Sequence, residues 1–394
     1  MGCISYSSAM AVTYERFSLR ERTREDLYHL ICAHSNVTRP DLMELTGFSR
    51  STVNHAVGQL LADGRVIEAE LVVKGPGSGS GRPATQLIAV ASGAPVGGID
   101  FGHNHIQVAV ADALGRPLGE RLIQIDVDVL ATQAMDLAAG LIADLRKEHS
   151  LDPLSSIVAG IPGPVDVRTG LVRSPTILSS WVQLAPADEL ERRLGTPVHI
   201  ENDAVLGAYG ELHRGAGAGL SNFLYIKASH GIGASLVIGG QPYKGATGLA
   251  GEIGHTHLPG HTESCRCGNR GCLEAVISVQ AIRDQIAHAH PQLDADSIDL
   301  SAPPDEVTAR ILNEAGRTLG RVFAAFCDLL NPEALVIGGE LGAASPELLD
   351  GIKASVARHS QPGTAATLKV VPAELGVRAE LVGALELAAA RATR

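Results

Sequence analysis

Glu252-Ile253-Gly254-His255 and, just beyond it, Cys265-Arg266-Cys267-Gly268-Asn269-Arg270-Gly271-Cys272-Leu273-Glu274 form the most chemically loaded segment of this chain. Three of the six cysteines fall within eight residues, and a histidine stands ten positions before the first of them. Three thiolates and one imidazole suit a closed tetrahedral zinc site: sulfur and imidazole nitrogen select that metal, and four protein ligands leave no position for a substrate. Such a site is structural rather than catalytic. A lone cysteine would more simply be a buried apolar thiol, but three at this spacing argue against that.

Outward from this segment, composition sets bounds. The chain has 394 residues, 45% hydrophobic and 19% charged, which favours two or three folded domains. No apolar run approaches the roughly 20 residues that span a bilayer, so no membrane partner is expected. Residues 1–14 lack the basic start and apolar core of a secretion signal. Cys3, Cys32 and Cys327 are scattered singly, as thiols in a reducing cytoplasm would be. A net charge of −11 argues against a chain that coats nucleic acid along its whole length. The charge is uneven, however. Residues 1–90 carry nine basic and nine acidic side chains, so the whole deficit lies in 91–394. A neutral module on an acidic body can bind DNA if its arginines share one face.

Residues 1–22 read as a flexible tail. Leu27, Leu30 and Ile31 sit at helical spacing within 24–34. Thr38-Arg39-Pro40-Asp41 starts a short helix, with Thr38 as cap, that ends at Thr46-Gly47. A third helix opens at Ser49 and runs to about Ala62, with Val53, Ala56, Val57, Leu60 and Leu61 as its core side. A turn at 63–65 leads to a strand over 66–72. Gly75 to Pro83 reads as a wing tip, with an interdomain linker as the alternative, and Thr85 to Val90 returns as a strand. This order is that of a winged helix-turn-helix over residues 23–90, with 91–95 as linker. Its third helix offers Ser49, Arg50, Ser51, Asn54 and His55 to DNA. Arg50 suits guanine O6/N7 and Asn54 adenine N6/N7, although a solvated helix face is the commoner use of such residues. Arg82 at the wing tip would reach a minor groove, and Arg39, Arg65 and Lys74 are candidates for phosphates. From Val96 onward, apolar strands ending in glycine alternate with helices. They include 96–102, 106–111, 121–127, 157–161, 197–203, a hairpin around Gly231-Ile232-Gly233, and 334–339. This pattern indicates an α/β body with functional groups at strand C-termini.

Residues 96–391 resemble the ROK family of repressors, open reading frames and sugar kinases, and the whole chain resembles its regulator branch. The resemblance rests on Glu201-Asn202-Asp203-Ala204, Gly231-Ile232-Gly233-Ala234, the run Gly245 to His255, and the cysteine cluster at the family's spacing. It implies a two-lobed actin-like (ribonuclease H-like) sugar kinase ATPase fold behind the winged helix. It also implies zinc held by His255, Cys265, Cys267 and Cys272, with His257 and His261 as nearby rivals. Sugar contacts would come from Asn202, Asp203, Glu252, His255 and Glu274, whose carboxylates and amide suit vicinal hydroxyls. For Asn202-Asp203 the bland alternative is a helix cap after the strand.

Asp203 matches the family's general base, here vestigial or latent. The phosphate loops depart from the kinase pattern. Asp100-Phe101-Gly102-His103-Asn104 has histidine and asparagine where kinases of the family have Gly-Thr. Ser229-His230-Gly231 has lost a glycine and a threonine, and Glu340 follows Gly338-Gly339 where a third glycine is common. These changes argue against ATP and Mg2+ as cofactors. The expectation is a cytoplasmic, DNA-associated repressor, homodimeric or homotetrameric on a palindromic operator, answering to a sugar or sugar phosphate. A bifunctional ATP-dependent sugar kinase is the alternative, and a metal-responsive regulator a third possibility.

Overall fold

The computed structural model describes residues 19–33, 37–70, 85–166, 168–172, 178–182 and 184–392. It divides into two compact units between Gly93 and Ala94.

In the first unit, α1 (Leu19–Ala33) precedes β1 (Val37–Thr38), α2 (Arg39–Thr46), α3 (Arg50–Ala62), β2 (Val66–Glu70) and β3 (Thr85–Ala89). The helix takes in residues 19–22, which the sequence assigned to a tail. That segment is charged and a good helix former but has no apolar period, so its helicity gave no periodic signal. Thr38 and Asp41 close a capping box: the Asp41 carboxylate accepts the Thr38 N–H at 2.8 Å, and the Thr38 hydroxyl faces the Asp41 N–H at 3.5 Å. Gly47 ends α2 with φ of +68°, and the Ser49 hydroxyl accepts the Thr52 N–H at 3.2 Å to start α3. Two helices are thus held a short turn apart. Val53, Ala56, Val57 and Leu60 are buried with Leu27, Ile31, Leu42 and Leu87, while Leu61 is only half-buried. The strands pair in the order β1-β3-β2, with β3 antiparallel to both neighbours. The expected wing tip, with Lys74 and Arg82, lies outside the described residues.

The second unit contains two five-stranded sheets with one topology. β4 (Val96–Phe101), β5 (His105–Ala111), β6 (Pro117–Gln124), β7 (Ile157–Ile161) and β8 (Val198–Asn202) lie in the order β6-β5-β4-β7-β8. The second sheet repeats this as β11-β10-β9-β12-β13, from β9 (Phe223–Ala228), β10 (Ile232–Ile238), β11 (Gln241–Tyr243), β12 (Ala334–Gly338) and β13 (Lys369–Pro372). In each, three strands form an antiparallel meander and the fourth and fifth add in parallel. The strand expected over 121–127 lies at 117–124 instead. It is an edge strand, mostly exposed, so burial does not mark its ends.

Helices α4 (Ala131–Glu148) and α5 (Pro186–Leu194) cover one face of the first sheet. α7 (Leu273–Ile277), α8 (Val279–Ala289), α9 (Glu306–Leu330) and α11 (Pro346–His359) cover one face of the second; the short α10 (Gly339–Ala344) and α12 (Pro362–Thr367) lie between later strands. The inner faces are covered by an exchange. α6 (Asp203–Arg214) leaves the last strand of the first sheet and packs Ala208 against Phe223 and Tyr225 of the second. α13 (Ala379–Ala392) follows the last strand of the second sheet and packs Leu381, Ala384 and Leu385 against Val96, Ala109 and Val158 of the first. The two helices cross backbone to backbone. A Cβ on Gly210 would stand 2.4 Å from the Ala379 carbonyl oxygen, and one on Gly383 would stand 1.9 Å from that of Leu206.

Candidate sugar and metal site

Between the two sheets of the second unit lies a cavity of about 310 Å³. The first sheet supplies Asp100 of β4, the turn from Gly102 to His105, and Asn202 and Asp203 where β8 meets α6; the second supplies Lys227, Ser229 to Gly233, Glu252, His255 and Glu274. Asp100, Asn202, Asp203, Lys227 and Glu274 sit near strand ends or helix starts, and Glu252 and His255 stand at either end of a short 3-10 turn.

Asn202 is the last residue of β8 and the N-cap of α6: its Oδ1 accepts the Val205 N–H at 3.2 Å, and its Nδ2 donates to the Gly163 carbonyl at 3.1 Å. The cap and the cavity position are therefore both real, and the cap fixes the amide that faces the cavity. Asp203 follows at 8% exposure. Its Oδ1 accepts the Ala204 N–H at 2.7 Å, and its Oδ2 accepts from Lys227 Nζ at 2.8 Å. Glu274 Oε2 accepts the Ile232 N–H at 3.0 Å, tying the start of α7 to the β9–β10 turn. Burial, reinforced by Asp203 and Glu274, pushes the Glu252 carboxyl up to about 7. Near neutrality that group can thus accept or donate a hydrogen bond.

His255 stands at the junction of this cavity with the cysteines. Its Nδ1 lies 3.6 Å from Cys265 Sγ, and its Nε2 lies 3.8 Å from Glu252 Oε2. The ligand atoms of His255, Cys265, Cys267 and Cys272 all fall within 4.8 Å of one another, and Cys267 and Cys272 Sγ are 3.7 Å apart. A tetrahedral ion with Zn–S of about 2.3 Å and Zn–N of about 2.05 Å requires S–S near 3.8 Å and S–N near 3.5 Å, so the donor set fits. Burial pushes the Cys265 thiol up to about 12; a bound cation is what would hold it as thiolate. His257 and His261 stay out of this group. His257 pairs by backbone with Cys272, and the His261 imidazole meets Glu263 at 3.2 Å.

The phosphate-loop residues are turned to other uses. His103 Nδ1 meets Asp128 Oδ1 at 2.7 Å. Asn104 meets His105 Nδ1 at 3.1 Å through Oδ1 and, across the cleft, His230 Nε2 at 3.4 Å through Nδ2. Burial, helped by His103 and Arg283, holds the His230 imidazole down at about 4, so it is neutral. The His105 ring fills the space beside Gly102 that a Cβ would need, its nearest atom 2.1 Å away. Glu340, the carboxylate where a third glycine is common, pairs with Arg283 at 2.8 Å. Arg266, between two of the cysteines, pairs with Asp128 and so ties the cysteine loop to the loop between β6 and α4.

The ROK family model matches residues 96–391. The chain belongs to the ROK family. A xylose repressor from Bacillus spizizenii is 28% identical over 360 residues, covering 90% of this chain and 91% of its own. Among solved structures, a ROK transcriptional regulator described as a homologue of the E. coli Mlc protein superposes with a TM-score of 0.67 at 25% identity, over 95% of this chain and 97% of the other. A ROK glucokinase from Streptomyces griseus, solved with glucose and AMPPNP, gives 0.66 at 28% identity, over 75% and 99%.

Within the ROK body, the sequence missed two residues that line the cavity, Lys227 and Glu380; Asp100, quoted as the first residue of the altered phosphate loop, lines it too. A lysine inside the otherwise apolar strand Phe223-Leu224-Tyr225-Ile226-Lys227-Ala228 was the available signal. Glu380 gave none, because its neighbours come from strands more than a hundred residues earlier. In the N-terminal module, Ser49, Arg50, Ser51, Asn54 and His55 are all exposed along α3. The proposed phosphate contacts Arg39 and Arg65 are engaged within the module: Arg39 with Glu68, and Arg65 with Glu25 at 2.7 Å and over the Tyr28 ring at 3.9 Å.

Proposed function

We propose that the chain is a sugar-responsive transcriptional repressor whose ROK body binds the effector without effective phosphoryl transfer. The observation that carries this reading is coverage. The regulator structure and the xylose repressor extend over the N-terminal module as well as the body, whereas the glucokinase matches the body alone. The module has the element order of a winged helix-turn-helix, and α3 is its reader, its exposed face led by Arg50 and Asn54. Asn202, Asp203, Glu252, His255 and Glu274 grip the sugar hydroxyls. The cysteine cluster with His255 holds a structural zinc, and Nδ1 coordination leaves the opposite imidazole nitrogen to the cavity. The active form is a dimer or tetramer on a two-fold-related operator. Sugar acts through unequal affinity for the DNA-competent and DNA-incompetent states, and release is the expected direction.

The test selects duplexes from a random pool with the full chain, then titrates the enriched sequence with D-xylose, D-glucose and N-acetylmannosamine. Sequence-selective enrichment, with one sugar lowering DNA affinity, is expected. ADP release with Mg-ATP and the same sugars should stay at background; turnover near that of a ROK glucokinase control would make the protein an enzyme as well. No enrichment would overturn the DNA reading.

Arg50→Ala is expected to weaken the selected operator by about 1–3 kcal/mol, roughly 5- to 150-fold, if it reads a guanine. Sugar affinity should be unchanged. Fluorescence anisotropy on operator and scrambled duplexes measures both; equal binding by variant and parent would show that another element reads the bases.

A further inference from the structure

The two sheets of the ROK body share one topology, so their positions can be paired. Asp100 is the fifth residue of β4 and pairs with Gly160 of β7; Lys227 is the fifth residue of β9 and pairs with Gly338 of β12. Asp203 opens α6 and Glu380 is the second residue of α13, the two helices exchanged between the sheets. Two pairs of corresponding places thus put four charged groups at the floor of one cleft, and three of them are carboxylates. Lys227 Nζ lies 2.8 Å from Asp203 Oδ2 and 3.5 Å from Glu380 Oε1.

We infer that Lys227 is a resident cation standing where a phosphoryl-transfer cleft would hold its divalent metal, so that the cleft floor is neutralised from within. This rests on the proposed reading of the cleft as a sugar site without transfer. Phosphoryl transfer requires a metal ion to neutralise phosphate charge and a base free to take the hydroxyl proton. Here the residue in the base position already accepts from an ammonium. That ammonium is held well above the usual lysine range: burial opposes its charge, but Asp203, Glu380 and Asp100 outweigh it. A divalent ion would meet a fixed positive charge that Asp203 Oδ2 and Glu380 Oε1 already face.

Asp100 supplies an independent sign that the floor is shaped for a cation. It is 1% exposed and lines the cavity; its Oδ2 meets His105 Nε2 at 3.2 Å, while its buried Oδ1 has no hydrogen-bond partner among the described residues. A buried carboxylate oxygen left so is costly unless a cation stands nearby, and Lys227 provides that charge through space. His103 and His105 face Asp128 and Asp100, and His230 is neutral, whereas Lys227 lies within 3.5 Å of both Asp203 and Glu380.

The prediction is that deleting this charge opens a divalent site. Lys227→Met keeps length and removes the ammonium. Manganese binding is measured by electron paramagnetic resonance on zinc-loaded full-length protein, without sugar, alongside melting with and without MnCl2. Lys227→Met should bind Mn2+ at least tenfold more tightly than the parent and melt higher in its presence. Adding Asp100→Asn should abolish the gain. If Lys227→Met fails to fold, Lys227→Met/Glu380→Gln, with one carboxylate fewer, is judged by the same tenfold criterion. A folded variant no better than the parent at binding Mn2+, or a parent that already binds it as tightly, overturns the inference. A sugar titration of the parent reports separately on the sugar reading, since no manganese result depends on it.

Discussion

Cys272→Ser is expected to purify with less than a tenth of the parent's zinc, to melt roughly 10 °C lower, and to lose at least tenfold in sugar affinity. Residues 256–272 contain little regular structure and few buried apolar side chains, Leu258 and the cysteines apart. Ordering such a segment costs about 1–2 kcal/mol per residue in backbone entropy, more than its turn hydrogen bonds return. A closed metal site would supply the difference; apparent values for structural zinc reach about 10–16 kcal/mol in small peptides. Cys272 is 1% exposed and its Sγ is 3.7 Å from that of Cys267, so serine leaves a weaker ligand in a buried place. The loss should spread to sugar because the segment is bounded by His255 and Glu274. Zinc content by mass spectrometry, thermal melting and sugar titration check the three parts. Stoichiometric zinc with full sugar affinity in the variant would remove the cluster from the site. A metal-sensing role would instead appear as operator binding lost and regained across a physiological zinc range in folded protein.

Asp203→Ala is expected to reduce sugar affinity by 100-fold or more. A charged acceptor to a hydroxyl contributes about 1.5–3 kcal/mol, and leaving polar groups unpaired adds to that. The substitution also releases Lys227 from its 2.8 Å partner and leaves it with Glu380 at 3.5 Å, which disturbs the floor beneath the ligand. Operator affinity of the sugar-free variant should stay within a factor of about three. Unaltered sugar affinity would place the sugar elsewhere.

What could be read from the chain, and what could not, divides by sequence distance. The cluster from His255 to Cys272 and the pair Asn202-Asp203 were legible because their chemistry is local. The caps at Thr38 and Ser49 were legible for the same reason, since a cap is written in four residues. His255, which the resemblance named ahead of His257 and His261, is the histidine whose ring nitrogen lies with the three cysteine sulfurs, while His257 pairs by backbone with Cys272. The partners of Lys227 and Glu340 were not legible. Arg283 and Glu340 are fifty-seven residues apart, and Lys227 and Glu380 more than a hundred and fifty. No periodicity spans such gaps. The edge strand at 117–124 was misplaced for a different reason: an exposed edge carries no burial pattern to mark its ends.

The exchange of α6 and α13 bears on how the body comes to exist at all. The first sheet is complete by residue 202, yet one of its faces is covered by a helix made from residues 379–392. During synthesis that face must wait, apolar and bare, until the rest of the body has been made. Neither half can finish alone, because each holds the other's cover, and the glycine crossing leaves no slack for a loose early docking. Such long-range closure is slow to form. The body should therefore assemble in a single late event, with residues 379–392 as its closing clasp.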